Sequence, residues 1–345
     1  MITAHNIRYY FFYLSAFVII TAGLRAASEI IVILLLSIIL ASVLSPVMIF
    51  LKKTGIPKII SFIFILFIVL ILFFIVFYIV NTSFKDFILN LPSYETKIKK
   101  LIISVVGYFD SYGFDIDPKR ILESFDISSL FKLTTKTIGN IGIFLSKTLF
   151  VLIGTSFILF EAPVFGKKLL IIFKENKEAL NSFTLFSKTV KKYFIIKLFT
   201  SLLTGLLIIA VLLYFDISYP ILWGFLGFLL NFIPVIGSII ASLPAIMLSV
   251  LNHDIGVSLW LIGCYLVINN LISNIIEPKL MGQGLGLSPA VVFFSLIFWG
   301  WVLGAVGMFL AVVLTMTIKI AFDSSTKTRW IGILLSDLSK SKTTL

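Results

Sequence analysis

Eight apolar stretches run through the chain, at residues 9–24, 30–51, 59–80, 138–160, 193–214, 219–250, 257–276 and 289–320. A helix that crosses a bilayer takes about 20 mainly apolar residues. A chain with this many such runs cannot bury them all around one water-facing core. Of the 345 residues 59% are hydrophobic and 13% charged, against nearly half and about a quarter in a soluble domain. The excess must face lipid. The pattern predicts an all-α polytopic membrane protein of about eight transmembrane helices, with two long broken or re-entrant segments and a small extramembrane helical lobe.

The net charge of +12 would suit nucleic acid if the cations formed a stripe on one surface. They cluster between apolar runs instead. Lys52, Lys53 and Lys58 share one short loop. Lys167, Lys168, Lys174, Lys177, Lys188, Lys191 and Lys192 fall between two spans, and Lys327, Arg329, Lys340 and Lys342 close the chain. This is the positive-inside distribution, so these regions and both termini are expected in the cytoplasm, with the lipid bilayer rather than nucleic acid as partner. The single Cys264 excludes an intrachain disulfide and a thiolate metal cage, and with only His5 and His253 imidazole chemistry is thin as well. No cofactor is expected. The apolar run after Arg8 has the outline of a signal peptide, but another begins at Ile30, which favours a first transmembrane helix in a tight pair.

Four regions follow. Residues 1–80 hold the N-terminal transmembrane helices. Residues 81–137 form an outer helical lobe, in which Ile98, Leu101, Ile102, Val105, Val106 and Phe109 recur at helical spacing and Asp117-Pro118 opens another helix. Residues 138–322 form a transport core with a cytoplasmic loop at 161–192, and 323–345 a cytoplasmic tail. Within the core, 219–250 and 289–320 are each too long for one upright span. "NFIPVIG" (231–237) interrupts the first with Asn231, Pro234 and Gly237, and Gly300, Gly304 and Gly307 lie near the middle of the second. Each is either a kinked helix or a hairpin of two short ones. "WGFLG" (223–227) echoes "WGWVLG" (299–304), a trace of internal repetition of the kind transporters carry.

The most polar stretch of the core is "NNLISNIIEPKLMGQGLGLSP" (269–289). Asn270, Asn274 and Glu277 stand at i, i+4 and i+7, one face of a helix. A carboxylate at membrane depth is costly and usually faces a bundle interior or a watery path. Pro278 is expected to end that helix, leaving carbonyls that together with Glu277 suit a cation or a proton relay. The alternative is an interfacial Glu277 paired with Lys279. Gly282, Gly284 and Gly286 lack the strand that a nucleotide fingerprint needs; they predict an extended or re-entrant backbone lining a cavity, before Pro289 opens the last helix. Lys147 is either a gating or substrate charge or a snorkelling lysine. No serine–histidine pair, Gly-x-Gly-Asp, His-Glu-x-x-His or Walker A pattern occurs in the spans, so an enzyme is not expected.

"NFIPVIGSIIASLPAIMLSV" (231–250), the stretch 269–289, "GAVGMFLAVVLTMTIKIAF" (304–322) and "LSPVMIFLKKTGIP" (44–57) together resemble the AI-2E family of transporters, also described as PerM-like. The resemblance covers almost the whole chain, is most specific over 219–322 and is weak over 81–137. It implies a multi-pass bacterial inner-membrane protein assembled as a homo-oligomer. It also implies export of small molecules, among them autoinducer-2 for some members, and Na⁺(Li⁺)/H⁺ antiport for others. Asn231, Pro234, Gly237, Glu277, Pro278 and Gly282 fall on matching motif positions. Family members often carry proline where this chain has Val313, which implies a last long helix that bends less.

The leading expectation is a secondary transporter exporting a small polar solute with cation or proton coupling. Asn231, Pro234, Gly237, Asn270, Asn274, Glu277, Lys279, Gly282, Gly284, Gly286 and Lys147 are the candidate path or coupling residues. An Na⁺(Li⁺)/H⁺ antiporter is the alternative within transport. A membrane scaffold or accessory subunit acting through 81–137 is the alternative of another class.

Overall fold

The computed structural model describes residues 4–112, 141–172, 177–234, 236–281 and 286–337. The helix expected at Asp117-Pro118 lies outside them, as do Gly282 and Gly284. Among the described residues there is no strand. The elements are α1 (Ala4–Ala26), α2 (Ser28–Lys53), α3 (Lys58–Leu89), α4 (Leu91–Asp110), α5 (Ile141–Ile172), α6 (Lys177–Tyr214), α7 (Pro220–Leu230), α8 (Ile236–Asn252), α9 (Ile255–Asn270), a π-helical turn (Leu271–Ile276), α10 (Glu277–Met281), α11 (Pro289–Asp323) and α12 (Arg329–Leu334).

By length and apolar composition Ser28–Lys53, Lys58–Leu89, Phe183–Tyr214 and Ile255–Met281 can each cross a membrane, and Pro289–Asp323 has the length and composition to do so but is broken at Gly304. A sixth candidate, in α5, joins Lys147–Ala162 to Val164–Ile172 across a bend of 51°. Phe64, Phe67, Leu72 and Phe74 of α3 are exposed, an arrangement that water would not tolerate and lipid favours. The protein is an all-α polytopic membrane protein.

The chain divides into two compact units. The first comprises Met1–Ile65, Leu149–Phe199 and Ile276–Leu345. Its core packs Val190, Tyr193 and Phe194 of α6 with Leu287 and with Leu310, Val312, Val313 and Met316 of α11. Small residues let α2 and α5 approach closely. A Cβ on Gly154 would lie 2.5 Å from Ser37 Oγ, and that hydroxyl is 3.1 Å from the Val151 carbonyl.

The long apolar run of α11 is a hairpin. Residues 299 and 315 of a straight helix would stand about 24 Å apart, yet Trp299 Nε1 donates to Thr315 Oγ1 at 3.0 Å. The reversal is at Gly304, with φ 69 and ψ −153, a conformation essentially restricted to glycine. On the return arm a Cβ at Gly307 would lie 1.9 Å from the Trp299 carbonyl oxygen, so the arms touch backbone to backbone. The weaker bend implied by Val313 is not what governs this run. Val313 is buried in regular helix, and the glycine nine residues earlier in the chain turns it.

The second unit comprises Leu66–Thr148 and Thr200–Ile275. Its long apolar run also doubles back. In a continuous helix Leu230 and Gly237 would be about 10 Å apart along the axis, whereas a Cβ on Gly237 would lie 1.8 Å from the Leu230 carbonyl oxygen. Proline 234 and the tight bond from Ile236 N to Pro234 O at 2.7 Å mark the turn. Gly205 of α6 and Gly224 of α7 meet backbone to backbone, each blocking a Cβ on the other at 2.8–2.9 Å. Ser249 of α8 and Ser258 of α9 share a buried hydrogen bond of 2.9 Å, which ties the next helix to the hairpin.

Candidate functional site

Glu277 opens α10, immediately after the π-helical turn. The helix does not stop at Pro278 but runs to Met281. Proline at the second position of a new turn is tolerated because its missing N–H has no partner to lose there. The π turn carries wider spacing than an α-helix and marks functional sites more often than chance. Asn270 and Asn274 are exposed and bond each other, Nδ2 to Oδ1 at 2.8 Å, while Glu277 is largely enclosed.

The partner of Glu277 is Lys197 of α6. Its ammonium donates to Oε1 at 3.0 Å and Oε2 at 2.9 Å. The side chains are 4% and 15% exposed, so the pair is all but sealed from solvent, and both residues belong to the first unit. Lys279 is exposed and does not take the role that sequence spacing offered it. Lys197 was the residue that motif reading passed over. Its signal was present in "YFIIKLFTSLLTG" (193–205), where it is the lone charge in an apolar run, and such residues mark ion or proton paths.

A charge-assisted pair with both carboxylate oxygens engaged is strong locally. Taking two ions out of water nevertheless offsets most of that attraction, so a buried pair is weak evidence for a purely stabilising role. Next to it, Lys192 donates to the Met281 carbonyl at 2.8 Å, closing the C-terminal end of α10 where the glycine-rich stretch begins. Gly286, at φ +67, ends that stretch in a conformation glycine adopts freely. Ser288 then caps α11 by accepting from Val291 N at 3.3 Å, with Pro289 in the first turn. Lys319, whose stem lies over Gly286, pairs with Asp323 at 2.6 Å.

The second unit has its own buried polar pair. Asn231, at the break after α7, donates from Nδ2 to Ser201 Oγ of α6 at 3.0 Å. Thr200, Ser201 and Thr204 are all buried, so this stripe of hydroxyls faces protein rather than lipid. Pro234 and Gly237 belong to the same break. Asn270, Asn274 and Lys147 also fall in this unit, and Lys147 is exposed. Among the described residues no group of three or more His, Cys, Asp and Glu could hold a metal ion.

Comparison with known proteins shows which family carries two such hairpins and this enclosed ion pair. A family model described as "AI-2E family transporter" matches residues 14–327. The chain belongs to the AI-2E transporter family. It is 32% identical over 327 residues to the AI-2 transport protein TqsA of Escherichia coli K12, covering 95% of each chain. A protein of Haemophilus influenzae named "Putative transport protein" is 33% identical over 336 residues, covering 95% of this chain and 96% of its own. Another of that name in Borreliella burgdorferi is 28% identical over 91% of this chain and 86% of its own. The family match takes in both AI-2E hairpins, both polar pairs and the stretch 269–289.

Proposed function

We propose that this AI-2E transporter exports a small polar solute, an autoinducer-2-like signal or a related molecule, with Lys197–Glu277 as the coupling pair. The observation that carries the reading is the bidentate, nearly sealed contact between those residues. A proton or a cation arriving at Glu277 competes with the Lys197 ammonium for the same two oxygens. Neutralising the carboxylate therefore releases Lys197, and a released buried ammonium must find a new partner. Charge movement of this kind can bias a transporter between two arrangements. Asn231, Pro234 and Gly237 are assigned to the solute path through the freed backbone at their break, and Asn270, Asn274, Lys279, Gly282, Gly284, Gly286 and Lys147 to its flanks.

In this reading the basic loops keep both termini in the cytoplasm of a bacterial inner membrane, residues 81–137 sit outside as a lobe, and several copies of the chain assemble. The name of the TqsA relative supports an autoinducer-2-like cargo. The test is efflux of autoinducer-2 from proteoliposomes under imposed proton or sodium gradients, comparing the native chain with Glu277→Gln and Lys197→Gln. Gradient-driven efflux in the native chain and its loss in both variants support the reading. Efflux that ignores the gradient, or persists in both variants, sinks it. Proton flux driven by added Na⁺ without any organic solute would favour the antiporter instead.

A further inference from the structure

The loop between α6 and α7, residues 215–219, holds the only two non-glycine residues at positive φ among the described residues, Asp216 (φ 54) and Tyr219 (φ 62). A bulky side chain in that conformation is strained and persists only where its surroundings over-determine it. Here they do. Asn90, at the α3–α4 elbow, donates from Nδ2 to Tyr219 Oη at 2.9 Å. That hydroxyl lies 3.3 Å from the Asp86 carbonyl, to which it donates, and Tyr94 Oη donates to it at 3.4 Å. Phe87 sets its ring edge against both Tyr219 and Trp223. Burial and the Tyr219 contact push the Tyr94 hydroxyl up to about 12, so it stays protonated and keeps donating through the physiological range.

A second tie lies further along α4. Lys97 bonds the side chain of Asn252, the last residue of α8, and α4 packs on α8. The elbow and α4 thus hold the first residues of α7 and the last of α8. Those are the two free ends of the hairpin whose closed end carries Asn231, Pro234 and Gly237. An amphipathic helix is thus fastened near both free ends of the hairpin, at one of them to a residue in a strained conformation.

We propose that α4 is a strap across the open end of the α7–α8 hairpin, and that Tyr219 is the positioning residue whose release lets the hairpin move during transport. The proposal rests on the reading that this hairpin takes part in transport. It needs no ligand at α4 and no titration of the phenols, only that the Tyr219 hydroxyl exchange its partners for water when the strap lifts.

The test places Lys97→Cys and Asn252→Cys in a Cys264→Ala background. A bifunctional methanethiosulfonate then links the strap to the hairpin, and dithiothreitol reverses the link. Linking is expected to slow autoinducer-2 efflux by about tenfold, as for a locked gating element, with full recovery on reduction and no effect of a monofunctional reagent. Efflux at the unlinked rate in fully linked protein overturns the strap and leaves the transport reading intact. A second measurement does not depend on cargo: hydrogen exchange in Tyr219→Phe, which keeps the ring and removes the hydroxyl. Amides of 220–236 should exchange about tenfold faster than in the native chain, as for local opening, while those of α11 stay unchanged. Equal exchange in the hairpin overturns the proposal even if no autoinducer-2 moves at all.

Discussion

Lys197 and Glu277, 80 residues apart in sequence, meet through both carboxylate oxygens. Removing one partner leaves the other as an uncompensated buried charge, at a cost of about 3–5 kcal/mol, whereas replacing both with apolar side chains is often neutral. Glu277→Leu and Lys197→Met should therefore each lower the unfolding temperature in detergent, and the double variant should return most of the loss. Coupled efflux should stay absent in all three. A double variant that regains gradient-driven efflux would show that the pair is scaffolding.

The turn of α11 separates two kinds of glycine. Gly304 has open space where a Cβ would stand but a positive φ, so Gly304→Ala carries backbone strain of about 1–3 kcal/mol. Gly307 has a helical backbone but faces the Trp299 carbonyl at 1.9 Å from an added Cβ, so Gly307→Ala must push the arms apart. We expect both to lower thermal stability, with Gly307→Ala also disturbing the fluorescence of nearby Trp299. Gly263→Ala, with nothing within 4 Å, is the silent control. Equal behaviour of all three alanines would mean that the arms do not touch.

Trp299 and Thr315 give an independent measure of the same fold. In Thr315→Val the buried indole N–H loses its acceptor, which costs about 1–3 kcal/mol. Trp299→Phe removes the donor as well, so in the double variant the polar penalty disappears. Unfolding of the four proteins in a double-mutant cycle should show coupling of about 1 kcal/mol. Strict additivity is the result that a single kinked span, with these residues far apart, would give.

Hydrophobic runs announced the helices because lipid demands about 20 apolar residues per crossing, and no tertiary contact can substitute for that demand. The choice between kink and hairpin was not legible. Gly304 and Pro234 permit either, and the decision rests on contacts such as Trp299–Thr315 that no local pattern encodes. The same applies to Glu277. Its cost at depth was readable from its neighbours, but its partner was not, because sequence spacing ranks Lys279 first and the fold supplies Lys197 from another helix. The π turn at Leu271–Ile276 was equally hidden, since no residue type in it announces the wider spacing. Tyr219 gave no signal either, since the strain lies in a backbone angle rather than in a residue type.

The clasp at Tyr219 makes a prediction about alkaline stability. Tyr94 carries a hydroxyl raised to about 12 from 10, first by burial and then by its contact with Tyr219, with Ser218 acting weakly the other way. Its proton is therefore held more tightly in the folded protein than in the unfolded chain. The contribution is complete below pH 10, the unfolded value, and fades as pH rises through about 12. Thermal unfolding in detergent, followed from pH 9 to 11.5, should fall more steeply in the native chain than in Tyr94→Phe, which lacks the titrating group. Lysines and the remaining tyrosines titrate in the same window in both proteins, so the difference between the two curves isolates Tyr94. Parallel curves would mean that Tyr94 is no better shielded in the folded protein than in the unfolded chain, and the elbow would then be looser than its hydrogen bonds indicate.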